Sequence, residues 1–291
     1  MQLPALGSQI QGADLQNRKI KFILDKIPKM AKAHTLIVIP ARWASQRFPG
    51  KVLTPIAGKP MVQWVWERAK ESRLAEQVII ATDDQRVMES AQGFGADVIM
   101  TSSEHNSGTE RCGEVANRLN FELIINLQGD EPLISPSAID QLIYLLQNDD
   151  SIHIASLCTE IKSYQDYLSP AVVKVVCDDQ DFALYFSRAP IPHYRGGEAL
   201  LEQWKNQGKR PEKLSPPPYK HLGIYGYRAD FLAGFALLPQ TLLEQAEKLE
   251  QLRALSWGFK IKVLITEYDS IGVDLPEDLG KVQAILESEK K

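Results

Sequence analysis

The sequence predicts an α/β fold in which a mostly parallel sheet is flanked by helices. Three observations point to it. Short apolar runs of strand length recur at residues 35–39, 77–81, 97–100 and 123–127. Stretches with helical spacing follow them. Polar loops at 41–51, 102–109 and 128–132 follow the first, third and fourth runs. This alternation is the arithmetic of βαβ units, which give parallel strands joined by right-handed crossovers. In such sheets ligands bind beyond the carboxyl ends of the strands. Function is therefore sought in those three loops.

The elements follow in order. Residues 35–39 are continuously apolar, as a strand buried on both faces requires. Pro40 ends the run, and the loop after it carries Arg42, Ser45, Arg47, Gly50 and Lys51. Pro60 suits the first turn of a helix, continued by Met61, Trp64, Val65 and Arg68 to about residue 72. The run 77–81 ends in Thr82-Asp83-Asp84, which can cap a helix that Gly93 and Gly95 stop. After the strand at 97–100, Ser107, Gly108 and Thr109 open a helix over about 110–119. The strand at 123–127 runs into Gln128-Gly129-Asp130-Glu131-Pro132, and a helix follows over about 136–146.

The second half reads differently. Strands are expected at 152–158, 172–177, 183–186 and 222–227, with few helices between them. The polar segment 195–219 ends in three prolines and is expected as an exposed excursion or lid-side loop. Residues 244–255 are expected as one helix, 261–267 as a strand, and Asp274-Leu275-Pro276-Glu277 as the opening of a last helix to about 289. Residues 1–33 are polar, mixed in charge and broken by Pro28, so a flexible extension outside the fold is expected, with Met30 an alternative start.

Composition narrows the function classes. The 291 residues are 44% hydrophobic, enough to bury one large domain or two modest ones. A net charge of −4 argues against general nucleic-acid binding. No run approaches the roughly 18 apolar residues of a membrane span, and no signal-peptide core is present. A cytoplasmic protein is expected. Cys112, Cys158 and Cys177 have no metal-ligand spacing and read as small buried thiols in a reducing compartment.

Four stretches could carry chemistry. Arg42, Arg47 and Lys51 set three cations in ten residues beside Gly50, which suits a triphosphate, although a solvated basic loop has the same composition. The pattern is neither the P-loop nor the dinucleotide fingerprint. Asp130 stands at a strand end where a carboxylate could share Mg²⁺ with phosphate, or form an ordinary turn. Asp274, with Glu277 three residues on, reads by itself as a helix cap. Ser107 reads as a cap with amides free for an anion or a base edge. His221, Arg188 and Glu250-Gln251 stand out only in company: alone they read as core or surface polar residues.

Together these stretches resemble the 3-deoxy-manno-octulosonate (Kdo) cytidylyltransferases. The matching segments are IVIPARWASQRFPGK (37–51), GKPM (58–61), ATDD (81–84), SGTER (107–111), NLQGDEP (126–132), VVKVV (172–176), ALYFSRAPIP (183–192), HLGIYGYR (221–228), LEQLR (249–253) and GVDLPEDL (272–279). The first is shared by many sugar nucleotidyltransferases, whereas ALYFSR, HLGIYGYR and LEQLR make the match specific. The extension before Thr35 departs from the pattern.

The resemblance implies a Rossmann-like, GT-A-like nucleotidyltransferase fold. Its nucleotide-binding part would span about 34–150 and a smaller strand-rich sugar-binding and dimerisation part about 151–260, with a C-terminal helix closing the fold. It implies transfer of CMP from CTP to the anomeric hydroxyl of Kdo, giving CMP-Kdo and pyrophosphate for lipopolysaccharide synthesis. Arg42, Lys51, Asp130 and Asp274 would be catalytic, with Mg²⁺ on the two aspartates. Arg42, Ser45, Lys51, Ser107 and Gln128 would hold the nucleotide. Arg111, Arg188, His221, Tyr225, Glu250 and Gln251 would form the sugar pocket, the arginines pairing with the Kdo carboxylate. A homodimer is implied. Three alternatives stay open: a cytidylyltransferase for another acidic sugar (sialic acid or amino-Kdo), a metal-dependent glycosyltransferase, and a non-catalytic nucleotide-binding protein.

Overall fold

A computed structural model describes residues 33–43, 48–235, 237–269, 271–273 and 275–289. The compact unit is His34–Lys291. Residues 1–32 of the expected extension, together with Ser45, Arg47 and Asp274, lie outside the described residues.

The first strand, β1 (Thr35–Pro40), follows its continuous apolar run, and Leu36, Ile37, Val38 and Ile39 are all 0% exposed. After the short hairpin β2 (Pro55–Ile56) and β3 (Lys59–Pro60) comes α1 (Met61–Lys70). Then follow β4 (Gln77–Thr82), α2 (Gln85–Gly93), β5 (Asp97–Met100), α3 (Gly108–Arg118), β6 (Leu123–Leu127) and α4 (Pro136–Asn148). Asp84 caps α2 by accepting from Arg86 N at 2.9 Å. Ser107 caps α3 by accepting from Glu110 N at 3.1 Å. These boundaries follow the expected ones closely, because cap residues and apolar period agree.

The second half supplies β7 (Ile154–Glu160), α5 (Tyr164–Leu168), β8 (Lys174–Cys177), β9 (Ala183–Ser187), α6 (Glu198–Gln207), β10 (Tyr219–Arg228) and α7 (Ala229–Phe235). It closes with α8 (Leu242–Glu247), α9 (Gln251–Ser256), β11 (Lys262–Ile265) and α10 (Asp278–Glu289). Among the described residues the main sheet runs β11–β7–β10–β6–β1–β4–β5, with β8 on β10 and β9 on β8. The pairs β6–β1, β1–β4, β4–β5 and β7–β11 are parallel. Strand β10 is antiparallel to both β6 and β7. It therefore inserts second-half residues beside the central parallel strands. Alternate β1 residues, Leu36 and Val38, pack with Cys112 and Val115 of α3 in one apolar cluster. Among the described residues no helix is long and apolar enough to cross a membrane.

Two expectations are corrected. Segment 195–219 is not simply an exposed excursion: α6 buries Trp204 completely, beside Tyr167, Tyr194 and Leu214. The indole donates to Lys162 O at 3.1 Å. Leu200, Leu201 and Trp204 form a narrow helical stripe that the polar majority of the segment hides. Nor is 244–255 one helix. Lys248 adopts φ 55°, ψ 45°, the left-handed region, and so separates α8 from α9.

Replacing Trp204 with Ala is expected to cost about 3–5 kcal/mol of stability, read as a lowered urea midpoint. A truly exposed side chain would move it by no more than about 0.5 kcal/mol.

Candidate active site

The site begins where β1 and β6 end side by side, Val38 standing opposite Asn126. Gly129 lets the two following loops touch: a Cβ there would stand 3.0 Å from Pro40 O and 3.5 Å from Val52. Across this contact Lys51 Nζ lies 2.5 Å from Asp130 Oδ2. Lys51 opens a single 3₁₀ turn, Lys51–Leu53, behind Gly50 at φ 70°. A Cβ on Gly50 would meet the Trp43 ring at 2.8 Å. That ring in turn lies 3.6 Å beneath the Arg86 guanidinium. The lysine is 9% exposed, so its charge acts with little solvent screening. Arg42 is exposed and reaches toward Asn106 O at 3.5 Å, which brings it to the loop that carries Ser107.

A second set of residues meets at the start of α3. Ser107 Oγ donates to Glu250 Oε1 at 2.8 Å, and Thr109 Oγ1 donates to Glu250 Oε2 at 2.6 Å. Thr109 accepts from Asn126 Nδ2 at 3.3 Å, and Asn126 Oδ1 accepts from Gln128 Nε2 at 3.0 Å. A hydrogen-bond chain thus runs from Gln128 to Glu250 through the fully buried Asn126. Burial raises the Glu250 pKa, opposed by the hydrogen bonds from Thr109 and Ser107. Arg253, 2% exposed, stands 3.7 Å from Glu250 and forms a two-point pair with buried Glu244 at 2.9 and 2.6 Å.

His221 and Tyr225 lie together on β10, their ring centroids 5.3 Å apart. His221 Nε2 is 2.8 Å from Ser156 Oγ, which also sits 2.8 Å from Ile224 O. With the serine proton on that carbonyl, the imidazole donates through Nε2. Burial lowers the His221 pKa to about 3, so the ring is neutral at pH 7. Burial and the nearby Glu250 charge hold the Tyr225 phenol well above its usual range. Gln251, 7% exposed, follows Glu250 at the start of α9.

The two arginines expected to clamp a carboxylate make their bonds to the protein itself in this structure. Arg111 is 2% exposed, and its guanidinium donates to the Thr101 hydroxyl, to Ser102 O at 3.4 Å and to Asp83 Oδ2 at 2.8 Å. It ties the ends of β4 and β5 to α3. Arg188 is half-buried and donates through Nε to Glu247 O at 2.8 Å and through Nη1 to Pro170 O at 2.9 Å. It closes the carboxyl end of α8.

Asp130 offers hard oxygen donors at the mouth of the site, its side chain 29% exposed. Among the described residues no group of three His, Cys, Asp or Glu side chains stands ready for a metal. The donor set fits a cation that takes only one or two carboxylates and completes its shell with phosphate and water, as Mg²⁺ does. Val273 N donates to Asp130 O at 2.9 Å, so the segment 271–273 reaches this edge. The three cysteines are free, and burial raises each thiol pKa, that of Cys177 to about 11. A raised pKa disfavours the thiolate, the reactive form; Cys112 and Cys158 are buried as expected, whereas Cys177 is half-buried.

Sequence reasoning missed Thr109, Asn126, Asp83 and Glu244. Asn126 did leave a signal. An amide within the apolar run LIINL must find partners when buried, and those partners define the chain to Glu250.

Known proteins resemble this chain in sequence and in fold. The sequence pattern of the cytidylyltransferase family matches residues 36–261. A 3-deoxy-manno-octulosonate cytidylyltransferase of Geobacter sulfurreducens is 50% identical over 84% of this chain and 96% of its own length. One from Thermodesulfovibrio yellowstonii is 46% identical, over 87% and 98% of the two chains. A solved structure of CMP:2-keto-3-deoxy-manno-octonic acid synthetase complexed with CTP superposes with a TM-score of 0.79 at 41% identity, covering 88% of this chain and 100% of that one. The 4-diphosphocytidyl-2C-methyl-D-erythritol synthase of Anaerococcus prevotii, at 12% identity and TM-score 0.57, shares the fold.

The neutral His221 makes stability depend on acid. Its folded pKa lies below the ordinary 6.5, so its contribution is complete above pH 6.5 and is lost as pH falls toward 3. About 2 kcal/mol should disappear between pH 7 and pH 5. The Tm of His221→Gln should fall less steeply over that range; parallel slopes would contradict the buried neutral state.

Proposed function

The chain belongs to the 3-deoxy-manno-octulosonate cytidylyltransferases, and from that membership we propose that it transfers CMP from CTP to the anomeric hydroxyl of Kdo, releasing pyrophosphate. The observation that carries this reading is the Lys51–Asp130 contact at the joined ends of β1 and β6. A scarcely exposed ammonium there can meet phosphate directly, and the part-exposed carboxylate would meet it through a bound cation.

The reaction must gather like charge. A carboxylated sugar approaches a triphosphate, its hydroxyl oxygen attacks the α-phosphorus, and the bond to the β-phosphate oxygen breaks. Negative charge then grows on the departing pyrophosphate. Lys51 and Arg42 answer that charge, and Lys51 does so with weak solvent screening. Ser45, Ser107 and Gln128 are assigned to the nucleotide. Asp130 and Asp274 would hold Mg²⁺, which when bound would neutralise phosphate charge and polarise the α-phosphate.

The sugar falls to the second-half residues. Neutral His221 and the Tyr225 phenol are polar groups for hydroxyls, and Glu250 with Gln251 accept from them. Arg111 and Arg188 act here through the segments they tie together. The product is a donor for lipopolysaccharide synthesis. We place the reaction in the cytoplasm, because three free thiols suit a reducing compartment. A second copy of the chain is the expected partner. The exposed Leu237, Leu242 and Trp257 favour it, since the Trp257 indole donates to Pro239 O at 3.2 Å and so stands beside the segment joining the two leucines.

Pyrophosphate release from CTP and Kdo with Mg²⁺ tests the reaction. Asp130→Asn and Lys51→Met should each lower kcat by about 10²–10³-fold. An inactive wild type, or variants equal to it, would overturn the assignment. Turnover with sialic acid or amino-Kdo exceeding that with Kdo would move the reading to another acidic sugar.

A further inference from the structure

Lys174 lies on β8 within the VVKVV segment, and the reaction above gives it no role. It is 0% exposed and among the largest fully buried side chains. Its ammonium donates to three backbone carbonyls: Ser169 O at 2.8 Å, Val172 O at 2.7 Å and Arg188 O at 2.7 Å. Those three bonds use every proton the group has. Burying an ammonium is costly, and an apolar side chain of like volume would avoid that cost. The surroundings add to it: burial and then the Arg188 charge lower the lysine pKa to about 8, with Glu247 opposing. A charge kept under these conditions does something an apolar residue could not. It draws carbonyls from two separate stretches, 169–172 and Arg188, onto one point.

Both stretches support the sugar side. Next to the caged Val172, Val173 O accepts from His221 N at 2.8 Å. Pro170 O accepts from Arg188 Nη1 at 2.9 Å. Arg188 N donates to Glu247 Oε2 at 2.9 Å, and Arg188 Nε donates to Glu247 O at 2.8 Å. Ser187 Oγ adds a bond to Glu247 Oε1 at 2.6 Å. Glu247 ends α8, and Lys248 turns the chain into Glu250 and Gln251. One cage therefore stands behind both His221 and Glu250.

We propose that Lys174 is a positioning residue for the sugar pocket: its three-carbonyl cage holds residues 169–172 and Arg188 so that His221 and the turn into Glu250 keep their places. The proposal rests on the cytidylyltransferase reading above. Lys174 itself touches no substrate. The cage joins β8 to residues 169–172 and Arg188, whereas Lys51 and Asp130 stand in the loops after β1 and β6, so the triphosphate side should not feel its loss.

The experiment uses the full chain with Lys174→Met and Lys174→Ala, assayed with CTP, Kdo and Mg²⁺. The expected result is a rise of at least about tenfold in KM for the sugar, with KM for CTP within about twofold of wild type. Ethylammonium chloride should restore part of the sugar KM in Lys174→Ala by filling the vacated cage, whereas sodium chloride at equal ionic strength should not. Unchanged KM values, or equal rises for both substrates, would overturn the proposal. So would a lowered Tm with unchanged KM values, which marks a purely structural residue. Amide hydrogen exchange supplies a readout free of activity. Lys174→Met should speed exchange at the His221 and Arg188 amides while leaving β1 protected, and a uniform acceleration would overturn the proposal. If wild type shows no turnover with CTP and Kdo, the functional reading fails, and the exchange pattern still decides whether the cage positions His221.

Discussion

The site depends on two loops being able to touch. Lys51 and Asp130 come from turns that follow different strands, and a side chain at position 129 would press on Pro40 O at 3.0 Å and push the two loops apart by a few tenths of an ångström. The parallel pairing of β1 and β6 aligns their carboxyl ends, and the missing Cβ closes the remaining gap. A cation that is almost wholly buried is then set against a carboxylate that still faces solvent. This asymmetry suits a reaction whose charge shifts from one end of a triphosphate toward the other.

The second constraint is topological. Had β10 joined the far edge of the sheet, His221 and Tyr225 would stand remote from the nucleotide edge. Inserted antiparallel between β6 and β7, β10 brings Tyr225 opposite Asn126. The buried chain through Asn126 and Thr109 then runs from Gln128 to Glu250 with every link satisfied. Polar networks in a low dielectric are favourable only when complete, and a complete one fixes distances between its ends. The residues proposed for the nucleotide and those proposed for the sugar are thereby held in a common frame.

The first half of the fold was legible because each buried strand is a continuous apolar run closed by Pro, Gly or a cap residue. The loops bearing Lys51 and Asp130 were legible for the same reason, since a parallel sheet says which strand ends matter. Elsewhere tertiary partners decided what local pattern could not. Nothing in Tyr219–Arg228 states that the strand inserts at the centre rather than adding at an edge. Trp204 sits in a polar helix whose thin apolar stripe has meaning only against Tyr167 and Leu214. Arg111 matched a substrate-binding motif, and nothing in that motif signals its bond to Asp83 at the end of β4. Pairings so distant in sequence leave no periodicity to read.

Lys248 gives the proposed sugar side an unusual kind of control. A non-glycine residue in the left-handed region carries a strain of roughly 1–2 kcal/mol, and Asn or Gly would relieve it. That strain sits two residues before Glu250, where α8 ends and α9 begins. The aim of the carboxylate is thus set by the handedness of one backbone unit as well as by its neighbours. A β-branched residue at this position would redirect Glu250 without altering any side chain that lines the cleft. A change at position 248 would therefore move the proposed sugar side while every side chain that lines it stayed the same.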